Sequence, residues 1–515
     1  MAEAAGTARA DGDARAGTAG TLLGVIEGQP DGATAIVVPD GPSLTYAGLR
    51  RQVRRLADAL AEHGVRRGDR VAIVLPNGAE VIVAFLAAAT AATAAPLNPN
   101  YTEDEFRFYL EDTDARTLIV PPGGAEAARR AALDGSVVVE VALGDDGELR
   151  IASDAPRDPS RTAGNPDPDD VALVLHTSGT TSRPKRVPLR HRNLVASIAN
   201  IVATYQLTPD DHALCVMPLF HVHGLMASTM STFKSGGTVV VPARFNPLSF
   251  WPTIEQQRVT WYSAVPTIHQ LVLARAGRRA ADTSSLRFVR SCSSALPPSV
   301  MAQLEDLLGV PVLEAYGMTE ASHQMCSNPL PPAERRPGSV GRGTGVGVGI
   351  MDDDGNLLPP GAIGEVVIQG PNVTSGYENN PEANTASFTN GWFRTGDQGS
   401  MDAAGYVVLL GRIKELINRG GEKISPREID ELLLQHPAVA EAVAFGQPHP
   451  VWGEEVAVAI VPDGEVTADE VQRYCREHLA EFKVPKRVYI VDTIPRTPTG
   501  KVQRRHVAAA MSGGA

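Results

Sequence analysis

The sequence predicts an α/β protein built from a large part and a smaller C-terminal part. Short β-branched runs such as "RVAIVLP", "GGTVVVPA" and "TWYSAVPT" alternate with longer helical stretches through residues 30 to 330, the pattern of helices layered on sheets. A polar, acidic ribbon rich in Gly and Pro, residues 144–170, interrupts that alternation just before the apolar run "VALVL". Two capped amphipathic helices in the final stretch outline a small α/β domain.

Taken in order, the first twenty residues lack a continuous apolar stretch and read as a disordered tail rather than a signal peptide. The segment "EVIVAFLAAATAATAAPL" from Glu80 is made of small residues, opens on a charge and stops at Pro96, so it reads as a buried helix rather than a membrane span. Near the C-terminus, Ser425, Pro426 and Glu428 supply an N-cap, a first helical residue and a capping-box partner for a helix whose buried face carries Ile429, Leu432 and Leu433. Thr467 and Glu470 form a second capping box ahead of the stripe Val471, Tyr474, Cys475 and Leu479.

Charge and cysteine usage narrow the function. Lys plus Arg number 47 against 59 Asp plus Glu, a net charge of −12, which argues against a general grip on nucleic acid or an anionic membrane. Cys215, Cys292, Cys326 and Cys475 are scattered, unlike zinc or redox motifs, and suit a reducing cytoplasm.

The stretch "HTSGTTSRPKRVPL" follows "VALVL" directly. It is not a Walker loop, which has four residues between its glycines and Lys-Ser or Lys-Thr directly after the second. Its chemistry still suits phosphate: Gly179 lets backbone N–H groups approach, Thr177, Ser178, Thr180, Thr181 and Ser182 add hydroxyls, and Lys185 adds charge. By itself it could also be a flexible polar turn.

Four more motifs follow in order: "EAYGMTE" at 314–320, "GWFRTGD" at 391–397, "GRIKELINRGGEKISP" at 411–426 and "PRTPTGKVQRR" at 495–505. Together with the loop they resemble the signatures of the adenylate-forming superfamily of acyl-CoA synthetases, adenylation domains and luciferases. After the tail (1–20), the resemblance implies a large N-terminal adenylation domain of several α/β subdomains (21–411) and a small mobile C-terminal α/β domain (412–515). It also implies a reaction in which a carboxylate attacks the α-phosphate of ATP, pyrophosphate leaves, and a thiol, from coenzyme A or a carrier protein, attacks the acyl-adenylate.

Residue roles follow from the same resemblance. Glu320 matches the glutamate linked to Mg²⁺, a cation that requires hard oxygen ligands, and Thr319 the residue that bonds the α-phosphate. Tyr316 matches the aromatic packed on adenine, with Glu314, Ala315 and Gly317 in the same nucleotide motif, and Asp397 the acceptor for ribose hydroxyls. Arg412 resembles the arginine that contacts ribose or phosphate, and Lys414 occupies the hinge. Lys501 matches the lysine carried into the site for adenylation, where its charge would favour the transition state. Gly420, Gly421 and Lys423 match the segment bordering the coenzyme A channel.

Wording across the chain, including "PLFHVHGL", "RFVRSCSSAL" and "GPNVTSGY", is similar to the oxalate-CoA ligase branch. Oxalate keeps a second carboxylate that must find hydrogen bonds or positive charge. Ser293 and His323 are the candidates for it, and His221 matches the gating position. His221 and His223 lie on a strand-like stretch without further obvious ligands, which disfavours a metal site. Arg186 stands where the family normally has Gly, a substitution that could crowd the loop, add a phosphate donor or point outward. The other readings are another small or medium carboxylate, an adenylation enzyme loading a separate carrier protein, and a nucleotide-binding regulator without catalysis.

Overall fold

The computed structural model describes residues 18–177, 184–276, 282–496 and 502–512. Two mostly parallel sheets dominate it. In a seven-stranded sheet Arg70–Ile73 lies between Thr93–Pro96 and Thr117–Val120, all parallel, and Val171–Thr177 runs parallel to Thr93–Pro96 before turning back antiparallel through Lys185–Arg190. A nine-stranded sheet carries Thr34–Val37, Thr238–Val240, His212–Leu214, Trp261–Ala264, Phe288–Ser291 and Val312–Met318 as successive parallel neighbours, closed by antiparallel edges. The expected α/β layering is therefore present, and ligands in such sheets gather outside the carboxyl ends of the strands.

The apolar segment from Ala79 to Ala91 is a helix buried along nearly its whole length, and Thr93–Pro96 continues as a strand rather than as helix. Among the described residues no helix is long and apolar enough to cross a membrane. The ribbon before "VALVL" contributes one edge strand, Leu149–Ala152, and is otherwise irregular to Asp170. Thr18 to Gly20 form a turn, with Thr18 buried, and Thr21 caps the helix Leu22–Glu27.

A third, antiparallel sheet ends on Val407–Arg412. After the short turn Ile413–Glu415 the chain enters a separate five-stranded sheet whose core includes Ile417, Ile424, Ile429, Leu433, Val458, Val471 and Cys475. The Thr467–Glu470 capping box forms as the sequence predicts. The box expected at Ser425 does not. Pro426 does open a helix, but the Ser425 hydroxyl donates to the Leu410 carbonyl on the neighbouring sheet, and Glu428 pairs with Lys483 at 2.7 Å. Tertiary partners outcompete the local cap here. All four cysteines are free and buried.

Candidate active site

The stretch expected to bind phosphate is flanked by two paired strands, in which Thr177 pairs with Lys185 and His176 with Arg186. Ser178, Gly179, Thr180, Thr181 and Ser182 lie outside the described residues, as does Lys501. Lys185 extends its ammonium over the Tyr377 ring, 4.5 Å from the centroid. Partial burial lowers its pKa, Glu320 opposes that shift and Lys414 adds to it, so the three charges share one electrostatic neighbourhood.

Strand parity sends Arg186 the opposite way. Its backbone is extended, free of the positive-φ strain feared from a replaced glycine, and its side chain bonds the Asp112 carbonyl and approaches Asp112 Oδ2 at 3.2 Å and Glu378 Oε2 at 3.8 Å. His176 Nε2 meets the same Asp112 carboxylate at 2.9 Å. Arg186 is thus a strut beneath the hairpin.

Glu320 sits in the tight turn Thr319–Ala321 between two paired strands, buried, with Thr319 half-buried beside it. Tyr377 donates its hydroxyl to Glu320 Oε1 at 2.9 Å, and Oε2 takes no hydrogen bond among the described residues. A carboxylate with one oxygen free of hydrogen bonds among the described residues fits Mg²⁺ of the kind held by a single carboxylate plus substrate phosphates. No cluster of three or more His, Cys, Asp or Glu that could cage a metal occurs among the described residues.

Gly317 keeps that turn tight, since a Cβ there would lie 1.9 Å from the His323 carbonyl. Tyr316 points its hydroxyl to Asp397 Oδ2, while Arg412 Nε reaches Asp397 Oδ1 at 2.7 Å. Burial raises the Asp397 pKa and Arg412 pulls it back. Glu314 and Ala315 are buried in the same strand, and burial pushes the Glu314 carboxyl up to about 7.

The acid candidates come together at the carboxyl ends of the strands. Ser293 follows Phe288–Ser291 with φ 75°, and His323 opens His323–Ser327 with φ 106°. Both are non-glycine residues at positive φ, where strain persists only if surrounding structure enforces it. Between them lies His223: its Nδ1 is 3.1 Å from Ser293 Oγ, its Nε2 is 2.6 Å from Ser263 Oγ, and its ring stacks on His323 with centroids 5.0 Å apart. His221, matched by the sequence to the gating position, lies half-buried with its ring 4.8 Å from Phe220. The "strand-like" stretch is in fact a turn entering the π-helix His223–Met230, so the two histidines do not share a face. Gly224 permits this close entry, because a Cβ would meet the Pro218 carbonyl oxygen at 2.4 Å.

Gly420 and Gly421 form the two-residue turn of the hairpin that pairs Arg419 with Glu422, both at positive φ, and Lys423 follows on the second strand. Trp452, partly exposed, accepts the Gly420 N–H on its carbonyl at 2.8 Å. Lys414 lies in the turn between the two sheets.

Residues 25–378 match the AMP-binding enzyme family, and residues 428–501 match the AMP-binding enzyme C-terminal domain. The chain belongs to the AMP-binding enzyme family. This AMP-binding enzyme is 49% identical over 505 residues to the oxalate-CoA ligase of Arabidopsis thaliana, covering 95% of this chain and 98% of that one. It is 47% identical over 512 residues to the oxalate-CoA ligase of Saccharomyces cerevisiae, covering 92% and 94%. Its fold superimposes on the ATP-bound structure of MatB from Rhodopseudomonas palustris with a TM-score of 0.86 at 31% identity, covering 95% of this chain and 98% of that one. The adenylate-forming reading and the two-part α/β fold of this AMP-binding enzyme both stand on these findings.

Proposed function

We propose that this AMP-binding enzyme is an ATP-dependent acyl-CoA synthetase that activates oxalate. The observation that carries the acid is the cluster of Ser293, His223 and His323, polar side chains gathered one turn from the nucleotide motif. A polar rather than an apolar lining at this place suits a second carboxylate, which needs hydrogen bonds or positive charge when buried. The 47–49% identity to two oxalate-CoA ligases points the same way.

In the first half-reaction a carboxylate oxygen of the acid bonds to the α-phosphorus and the bond to the pyrophosphate oxygen breaks. Lys185 and Thr319, with the hydroxyls of the 177–182 loop, hold the phosphates. Asp397 and Arg412 orient the ribose, and Tyr316 lies against the base. Mg²⁺, held through Glu320, neutralises phosphate charge when bound. Lys501 supplies a cation between acid and α-phosphate. In the second half-reaction the thiol sulfur attacks the acyl carbon and AMP leaves, its thiol proton passing to solvent.

Two different residue sets must serve one site, so the small domain pivots at Lys414 between domains 21–411 and 412–515, bringing Gly420, Gly421 and Lys423 to the thiol channel. Coenzyme A rather than a carrier protein is the acceptor, and the reduced, buried cysteines suit the cytoplasm.

The test is incubation with Mg-ATP, coenzyme A and oxalate beside malonate, acetate, octanoate and cinnamate, reading AMP and acyl-CoA mass. Oxalyl-CoA with stoichiometric AMP is expected. AMP with another acid keeps the mechanism and removes oxalate; no AMP from any acid removes both.

A further inference from the structure

Behind the acid cluster lies a guanidinium that the chemistry above does not use. Arg290 is on the strand Phe288–Ser291, directly opposite Ser263 on the neighbouring parallel strand, and it is fully buried. Its Nε donates to the Tyr205 hydroxyl at 2.7 Å, its Nη1 to Ser263 Oγ at 2.9 Å and its Nη2 to Gln324 Oε1 at 3.1 Å, with the Cys292 thiol alongside. Every acceptor is neutral. Among the described residues it forms no ion pair, in contrast to Arg287 three residues earlier, which grips both oxygens of Asp211 at 2.6 and 2.7 Å.

Arginine does not give up its proton in a protein, and a buried arginine normally has an acid beside it because desolvating an unpaired charge is expensive. Here the charge is solvated by dipoles and has no counter-ion among the described residues. The same hydrogen bonds point it at the acid pocket. Ser263 Oγ accepts from Arg290, so its single proton goes to His223 Nε2, itself only 3.5 Å from Arg290 Nη1 and therefore an acceptor. That leaves the His223 proton on Nδ1, donated to Ser293 Oγ, and the Ser293 hydroxyl proton available to an incoming acceptor.

We propose that Arg290 is a positioning and specificity-determining residue: its unneutralised charge selects an acid carrying a second negative charge, and the Ser263–His223 relay turns the Ser293 hydroxyl toward that charge. This rests on the acyl-activating reading above and adds to it the reason a dianion is preferred over a monoanion of the same size.

The test compares oxalate with oxamate, in which an amide replaces one carboxylate, and malonate with malonamate, by steady-state AMP formation. The wild type, Arg290→Gln and Arg290→Lys are assayed, with the KM for ATP as the check on folding. The wild type should prefer the diacid of a pair. Arg290→Gln should lower that preference about tenfold or more, chiefly through the KM of the diacid. Arg290→Lys, which keeps a charge in the same layer, should retain most of the preference while losing turnover as His223 is held less well, and it decides the matter if the Gln variant does not fold. Equal losses on diacid and amide in Arg290→Gln, or loss of the preference in Arg290→Lys, would overturn the role. A wild type inert to oxalate but selective for malonate over malonamate removes oxalate alone and leaves Arg290 to be judged on the malonate pair. A wild type without diacid preference in either pair overturns the Arg290 proposal.

Discussion

Asp397 Oδ1 accepts from Arg412 Nε at 2.7 Å, and the two residues face each other across paired strands, one buried and the other next to the turn that leads into the small domain. The second carboxylate oxygen is held by the Tyr316 hydroxyl. Asp397→Asn removes the charge that Arg412 pairs with. It should raise the KM for ATP at least about tenfold, as expected for breaking a charge-assisted pair. Tyr316→Phe removes one neutral donor and should cost about 1 kcal/mol in ATP binding. Isothermal titration with ATP separates the two, and a loss in Tyr316→Phe as large as that in Asp397→Asn would overturn the leading role of the Asp397 charge.

Tyr377 serves two groups at once: its ring lies under Lys185 and its hydroxyl bonds Glu320. Tyr377→Phe keeps the ring and frees the carboxylate, so the Mg²⁺ concentration for half-maximal activity should change several-fold, roughly the effect of one hydrogen bond, with Lys185 undisturbed. Tyr377→Leu should additionally weaken nucleotide binding by about 1 kcal/mol through the lost cation–π contact. Unchanged Mg²⁺ titrations in both variants would detach Glu320 from the metal.

Arg186→Gly restores the residue expected in the phosphate loop yet removes the strut to Asp112 and Glu378. The expected result is a loss of about 1–3 kcal/mol of stability with little change in the KM for ATP. A gain in ATP affinity without loss of stability would mean that the side chain crowds the loop after all.

His191 is fully buried, accepts the Leu22 N–H on Nδ1 at 3.1 Å and meets the Ala89 carbonyl through Nε2 at 3.0 Å. Burial lowers its pKa from an ordinary 6.5 to about 4. The unfolded chain therefore binds the extra proton first. His191 contributes stability that is complete above pH 6.5 and is lost as pH falls toward 4, about 3 kcal/mol in all. Urea midpoints at pH 7.5 and 4.5 measure this. In His191→Gln, whose amide can both donate and accept but does not titrate, the difference should shrink; an equally steep fall would place the titration elsewhere.

What the sequence revealed was what neighbouring residues settle among themselves. Alternating β-branched runs became parallel strands, and Thr467 with Glu470 closed its cap, because those partners are three residues apart. Ser425 and Glu428 have the same local pattern, but Leu410 and Lys483 reach them through space and win. The residues assigned to the nucleotide rest on another kind of signal: Tyr316, Glu320, Asp397 and Arg412 stand inside ordered motifs. His223 was missed because Ser263, Arg290, Ser293 and His323 come from separate segments, and only packing brings them around it. A signal did exist in the glycine after His223, which marks a backbone pressed against Pro218 and hence a turn, with the two histidines facing different ways.

Burial pushes the Cys215 and Cys326 thiols up to about 12 and Cys475 to about 11, and Cys292 is equally enclosed. Enclosed thiols of this kind are expected to react slowly with disulfide reagents in the folded protein. A colorimetric thiol titration of a running reaction would count coenzyme A alone, and any extra equivalents, up to four per chain, would count unfolded molecules.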